Sequence, residues 1–415
     1  MKRLRSAPAV GCRMSLFVIL AAGACSPEKR PDAGAGTPTL AERALSLGLE
    51  VLPIDPPRPA ENSLSEPRIA LGRLIFFDPI LSGPQDLACS TCHLPSFGFA
   101  DGRQFGIGAG GTGLGPERTL PEPPLRQMPR NSPTVLNAGI YGRRGSSPTV
   151  NGMMFWGGTA FGLEDQVLNP ITADKELRGL AYSKVNALDS VLVRLRGIPE
   201  YVDLFSAAYP EIVAVRGRDP LRLITATTLR RSLASYVREL VTPNSPFDHF
   251  LRGDPSALTA EQQAGLELFI GEAGCVECHN GPLLSDFSQH VLGTEQQGMG
   301  RDTTPGDDVG WGEAGGAAYA FRTPPLRQVE LTAPYFHAGT AETLEDVVRF
   351  KNEGMSENPR VEPGTLDPRV RPLGLSDVGV RRLVAFLRAL TDRESVQDSL
   401  FLEPERVPSG LKIPR

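Results

Sequence analysis

Two Cys-x-x-Cys-His pentapeptides, capping signals ahead of several amphipathic segments, and a shortage of strand-like runs predict a mainly α protein. Two domains with long irregular loops are expected, each built around a covalently attached haem. The pentapeptides are Cys89-Ser90-Thr91-Cys92-His93 and Cys275-Val276-Glu277-Cys278-His279. The thiols of each add across the two vinyl groups of a porphyrin while the adjacent imidazole binds iron, so the order of the three residues is part of the chemistry. One copy can arise by chance; two make a dihaem c-type cytochrome the leading reading. Small helical domains have little surface to bury without a cofactor, so each haem serves as part of its domain's core.

The chain opens with a basic stretch, Lys2, Arg3, Arg5 and Arg13, followed by an apolar run from Ser15 to Gly23. Residues 1–24 therefore read as a secretory signal, too short to span a bilayer as a mature helix. Ala22-Gly23-Ala24-Cys25 resembles a bacterial lipobox, with Ala22 where Leu is usual, and would make Cys25 a lipidated first residue. Residues 26–44, rich in Pro, Gly, Ala and charge, read as a flexible tether. About 390 residues remain beyond the signal, enough for two domains of ordinary size. The first, residues 45–245, carries the first motif and ends with a helix over Leu221–Leu240, whose positions Leu223, Ile224, Leu229, Leu233, Tyr236, Val237 and Leu240 suit packing on a core. Pro243 and Pro246 stop it. The second domain, residues 246–392, has the capping box Thr259-Ala260-Glu261-Gln262 before Leu266, Leu268 and Phe269, and the second motif follows at once. Thr343 caps a short helix through Phe350, and Ser376 begins another running to about Leu390. Residues 393–415 are polar and contain Pro, reading as a wrapping or loose tail.

A net charge of −5 gives no motive for a nucleic-acid partner, because phosphate binding wants a basic surface. No segment beyond the signal is long and apolar enough to cross a membrane. Haem and electron-transfer partners are the better expectation. Cys12 falls in the signal; once four cysteines hold haem and Cys25 is assigned, none is left for a structural disulfide. The Gly-rich passage 106–115 lacks the phosphate-contacting Lys of a nucleotide loop and reads as a mobile loop over the first haem. Five histidines are present. His93 and His279 are the proximal ligands. No His or Met lies in the Gly-rich passage, which favours an open sixth position on the first haem; such an iron can bind peroxide, whereas a doubly ligated one only passes electrons. His249 reads as a packed or surface residue. His290 and His337 read as structural hydrogen-bonding residues, with propionate or iron contact as the alternative.

Besides the two motifs, the chain contains Pro129-Arg130-Asn131-Ser132-Pro133-Thr134-Val135-Leu136-Asn137, Phe155-Trp156-Gly157-Gly158 and Ala333-Pro334-Tyr335-Phe336-His337-Ala338-Gly339. Over roughly Glu66 to Asp392 this text resembles the bacterial dihaem cytochrome c peroxidase family, including its MauG-like branch. The resemblance implies two cytochrome c-like domains in the periplasm, peroxide meeting the N-terminal haem and the C-terminal haem relaying electrons. It implies Trp156 as a relay between the haems, and Gln166 and Glu176 in the distal pocket. A carboxylate there can take a proton from peroxide and return it to the departing oxygen. It also implies an inter-domain calcium ion on Asn131 and the backbone oxygens of Thr332 and Pro334, hard ligands of the kind calcium favours.

Departures from the family pattern matter as much. Members that need reductive activation carry a His in the loop after the first haem; the stretch near Gly108 to Gly110 has none, so the first haem should meet peroxide in the diferric state. The common text Phe-Trp-Asp-Gly-Arg stands here as Phe155-Trp156-Gly157-Gly158-Thr159, losing an acid and a base beside the relay. Lys351 occupies the place where the resemblance implies Met in peroxidases and Tyr in MauG-like proteins. Met raises a haem potential, while Tyr or an amine stabilises ferric and higher states. The candidates for the second haem's sixth ligand are Lys351, which binds only when deprotonated, Met355, the weaker Met299, or no protein group. The bland alternative for Lys351 is a snorkelling surface residue. Three functions follow. The first is reduction of hydrogen peroxide to water, with electrons from a small periplasmic cytochrome or copper protein. The second is MauG-like use of peroxide and high-valent haems to oxidise Tyr or Trp of a partner protein, favoured by the missing activation His and the lack of Met at 351. The third, a non-catalytic dihaem electron carrier, is disfavoured by Gln166 and Glu176. A lipid anchor and a homodimer stay open.

Overall fold

Two helix pairs organise this computed structural model, which describes residues 37–120, 127–141, 143–144, 147–148, 150–298 and 307–415. The signal, Cys25 and Met299 lie outside the described residues. In the first pair, Glu66–Phe77, with Pro67 in its first turn, buries Ile69, Leu71, Ile75 and Phe76. It crosses Ala226–Glu239, which starts at a capping box between Thr225 and Thr228. Gly72 marks the crossing: a Cβ there would stand 2.0 Å from the Ser232 carbonyl oxygen. The second pair repeats the device. Ala260–Ile270 begins at the Thr259–Gln262 capping box and packs on Asp377–Arg388, where a Cβ on Gly265 would stand 2.0 Å from the Arg382 carbonyl oxygen.

The helix expected over Leu221–Leu240 is divided. Pro220–Leu223 forms one turn, Ile224 is extended, and Ala226–Glu239 starts afresh. Thr228 explains the break, since its hydroxyl donates to the Leu223 carbonyl at 2.8 Å and pairs with the Thr225 cap. Leu344–Glu353 begins at the expected Thr343 cap and outlasts Phe350 by one turn, ending at left-handed Gly354 (φ 60°). Among the described residues the strands form three two-stranded ribbons, the longest pairing Gln289–Val291 with Ala320–Arg322. Among the described residues no helix is long and apolar enough to cross a membrane.

Two large apolar cores result, and the ends of the chain depart from expectation at both. Leu40–Ser46 is a helix with a Thr39–Glu42 capping box, so the tether reading fails over residues 40–44. Ala44 and Leu49 join the second core with Phe247, Phe250 and Phe269 instead of opening the first domain. Beyond them Leu52 joins the first core. At the other end, Phe401, Val407 and Ile413 are buried in the first core, which makes the 393–415 segment a wrap. Ser409 Oγ donates to Asp78 at 2.6 Å, Tyr236 OH to the Leu400 carbonyl at 3.1 Å, and Phe401 meets Phe99 edge-on at 6.2 Å. The fully buried pair Arg327–Asp248 ties the N-terminal segment to the second half, because Arg327 also donates to the carbonyls of Pro282 and Glu50.

Candidate active site

Cys89–Cys92 folds as one helical turn, and Cys275–Glu277 as a tighter one. Each puts its His at or just past the end of the turn, where a backbone carbonyl captures one ring nitrogen. His93 Nδ1 lies 3.0 Å from the Phe99 oxygen and His279 Nδ1 2.9 Å from the Leu284 oxygen. Both carbonyls belong to left-handed non-glycine residues, Phe99 at φ 58° and Leu284 at φ 50°. A carbonyl accepts only from N–H, so Nδ1 carries the proton and Nε2 keeps the lone pair that iron requires. Burial holds both rings neutral, lowering His93 and pushing His279 down to about 4. The four motif cysteines are unpaired. Burial pushes Cys89, Cys92 and Cys275 up to about 12. Two free thiols beside an imidazole with an available Nε2 fit haem c at both motifs.

The second motif faces a cavity enclosing about 2000 Å³ of empty space, mouth included. Cys275, Cys278, His279, Trp156, Tyr141 and Lys351 are on its wall. Trp156 is held through its ring and its main chain, and the residue before it is held as well. Its Nε1 donates to the Asn131 carbonyl at 3.0 Å, the Arg322 N–H donates to its carbonyl at 2.9 Å, and Arg322 Nε donates to Phe155 at 3.1 Å. Arg322 is buried over the Tyr141 ring at 5.0 Å. Asn131, Thr332 and Pro334 share the wall. Asn131 Nδ2 donates to the Arg103 carbonyl at 2.7 Å, leaving Oδ1 as the amide's acceptor.

The histidines separate by environment. His290 is held between Asp367 at 2.7 Å and Asp286 at 3.0 Å, which engages both ring nitrogens. The Cys278, Asp286 and His290 cluster shares a thiol with the haem motif and is that carboxylate clamp. His337 stacks on Phe321 at 3.6 Å and is pushed by burial to about 3. Its buried Nε2 has no hydrogen-bond partner on a wall that a cofactor would cover. His249 is exposed, as a surface residue should be. Lys351 lines the cavity with His279, and burial brings its amine down to about 8. Met355, past the Gly354 turn, is 62% exposed and away from that wall.

Around the first motif, Gln166 closes the Leu163–Gln166 helix, and Glu176 follows Asn169–Thr172 by one loop. After burial, the Glu176 charge contributes to raising Cys89 and Cys92, so the carboxylate stands near that motif. The Gly-rich passage is fastened, contrary to the mobile loop expected. The Ala109 N–H donates to the Glu176 carbonyl at 3.1 Å, and Gly108 is so close to the neighbouring turn that a Cβ would stand 1.9 Å from the Lys175 oxygen. Buried Arg118 holds the other side. Residue spacing did not reveal Arg118, Arg322 or the proximal carbonyls of Phe99 and Leu284; two buried charged side chains that donate to main-chain oxygens leave no local pattern.

Over residues 66–256 the chain matches the family described as di-haem cytochrome c peroxidase. It is 33% identical over 380 residues to cytochrome-c peroxidase IdrP1 of Denitromonas iodatirespirans, covering 82% of this chain and 86% of the relative. It is 33% identical over 340 residues to methylamine utilization protein MauG of Methylorubrum extorquens, covering 80% and 81%. Cytochrome c551 peroxidase of Pseudomonas aeruginosa is 34% identical over 333 residues, covering 80% of each. The crystal structure of a MauG-like protein associated with microbial copper homeostasis superposes with a TM-score of 0.70 at 28% identity, over 86% of this chain and 98% of that one. Two haem c motifs with prepared proximal ligands, on this fold and with these relatives, establish the chain as a member of the di-haem cytochrome c peroxidase family, a cytochrome-c peroxidase-like oxidoreductase.

Proposed function

We propose that this protein is a periplasmic enzyme that reduces hydrogen peroxide at its first haem without prior reduction, taking electrons through the second haem from a small cytochrome or copper protein. The Gly-rich passage carries this reading: it holds no His or Met, and its backbone bonds to Glu176 through Ala109. A haem held by Cys89, Cys92 and His93 would supply the iron at which the peroxide O–O bond is cleaved. Two electrons and two protons turn each peroxide into two waters. Glu176 takes a proton from the incoming peroxide and returns it to the departing oxygen, with the Gln166 amide orienting the substrate. Trp156, fixed by Asn131 and Arg322, offers an oxidisable indole on the way to the second haem. Asn131, Thr332 and Pro334 hold a calcium ion that braces this wall. Export and a lipid anchor at Cys25 rest on the signal and lipobox text.

One observation favours the MauG-like alternative, oxidation of Tyr or Trp on a partner protein. Lys351, not Met, lies on the second haem's wall, and Met355 points elsewhere. Low-temperature EPR of diferric holoprotein before and after one equivalent of hydrogen peroxide tests the common step. A high-spin first-haem signal that disappears on peroxide addition is expected. Two low-spin haems that ignore peroxide until reduced would overturn the proposal. Rapid turnover with a reduced cytochrome donor then supports the peroxidase, and a long-lived oxidised state without turnover supports the alternative.

A further inference from the structure

One buried cation beside the first haem motif has no place in that scheme. Arg118 is 3% exposed and, among the described residues, pairs with no carboxylate. Its nitrogens all go to main-chain oxygens of the Gly-rich passage: Nε to Ile107 at 2.8 Å, Nη2 to Gly108 at 2.8 Å and Nη1 to Gly113 at 2.9 Å. Paired backbone bonds between Thr112 and Thr119, at 2.9 and 2.8 Å, fold the chain back so that the guanidinium can reach. Space is reserved for it, since a Cβ on Gly111 would stand 3.0 Å from the guanidinium carbon. A buried guanidinium must spend its donors on strong acceptors, and an irregular glycine-rich segment lets main-chain carbonyls approach it closely. The opposite edge of the passage is as tight. Gly108 abuts the Lys175 carbonyl, the Ala109 N–H reaches the Glu176 carbonyl at 3.1 Å, and a Cβ on Gly179 would come within 2.8 Å of the Ala109 Cβ. The Ile107 oxygen that Arg118 grips also lies 3.9 Å from Cys92 Sγ.

We propose that Arg118 is a positioning residue for the peroxide pocket. By gripping the carbonyls of Ile107, Gly108 and Gly113, it holds the passage against the Lys175–Glu176 backbone and so sets where the Glu176 carboxylate stands. This rests on the reading of Glu176 as the proton-transfer group. A lysine, with one compact ammonium in place of a planar fork, cannot serve three carbonyls in this arrangement.

The test uses diferric holoprotein as wild type, Arg118→Met, Arg118→Lys and Gly108→Ala. Amide hydrogen exchange is followed over residues 107–119, and the rate of reaction with hydrogen peroxide is followed against pH. Arg118→Met is expected to lose protection in that segment and to react about 100-fold more slowly, with an altered pH profile, as displaced acid–base groups do. Arg118→Lys should recover part of both. Gly108→Ala leaves Arg118 intact but forces the passage off Lys175, and should slow the reaction in the same way; it keeps the test open if Arg118→Met fails to fold. Unchanged protection in Arg118→Met, or lost protection with an unchanged rate and pH profile, would overturn the assignment. A wild type inert to peroxide sinks the proposed function instead, and the exchange comparison alone then decides whether Arg118 holds the passage.

Discussion

Lys351 is the residue on which the two proposed roles of the second haem divide. It shares a wall with His279, while Met355, four positions on, has been carried into solvent by the left-handed turn at Gly354. Arg and Lys stems often end a helix by snorkelling, yet this amine is buried enough to be brought down to about 8. Replacing Lys351 by Met puts a thioether where the amine stood and should move the second haem's midpoint potential upward, measured by spectroelectrochemical titration, whereas Met355→Leu should leave it unchanged. The proximal histidines were legible in the sequence because Cys-x-x-Cys-His orders its own chemistry. The carbonyls that fix their tautomers were not, since Phe99 and Leu284 owe their left-handed backbone to packing and no local spacing announces it. Arg118 was hidden for a related reason: its partners are main-chain oxygens, which every residue carries.

At the level of elements, the two helix crossings share one requirement. Gly72 and Gly265 each let a partner helix carbonyl approach to where a side chain would sit. Gly72→Ala or Gly265→Ala must push backbone against backbone, and each is expected to destabilise the holoprotein by about 1–3 kcal/mol in chemical denaturation, the usual cost of overpacking. Helix starts were well marked, because Thr259 and Thr343 announce themselves through a partner three residues on. Helix continuity was not. The periodic apolar positions from Leu223 to Leu240 read as one helix, but Thr228 satisfies the Leu223 carbonyl with its hydroxyl and restarts the helix at Thr225. The Gly-rich passage misled in the opposite direction, as composition suggests freedom while tertiary contacts remove it.

Across the whole molecule, the least expected placements are the ends. Composition made residues 393–415 look peripheral, since the apolar residues there, Phe401, Val407 and Ile413 among them, are scattered among polar ones and prolines. Those three, Phe401, Val407 and Ile413, are among the buried residues of the first core. Phe401 leans on Phe99, whose carbonyl holds His93, so Phe401→Ala should cost about 3–5 kcal/mol of stability. It should also shift the iron–histidine stretching band of the ferrous first haem in resonance Raman spectra. At the other end, the Thr39–Glu42 box went unnoticed inside a stretch that read as linker. The chain thus sends its opening turn into the second core and its closing turns into the first. Each half is sealed by a segment covalently continuous with the other, like two hooks caught together. A backbone nick near residues 242–246 would leave the hooks engaged, so the halves would stay joined until one of them unfolded.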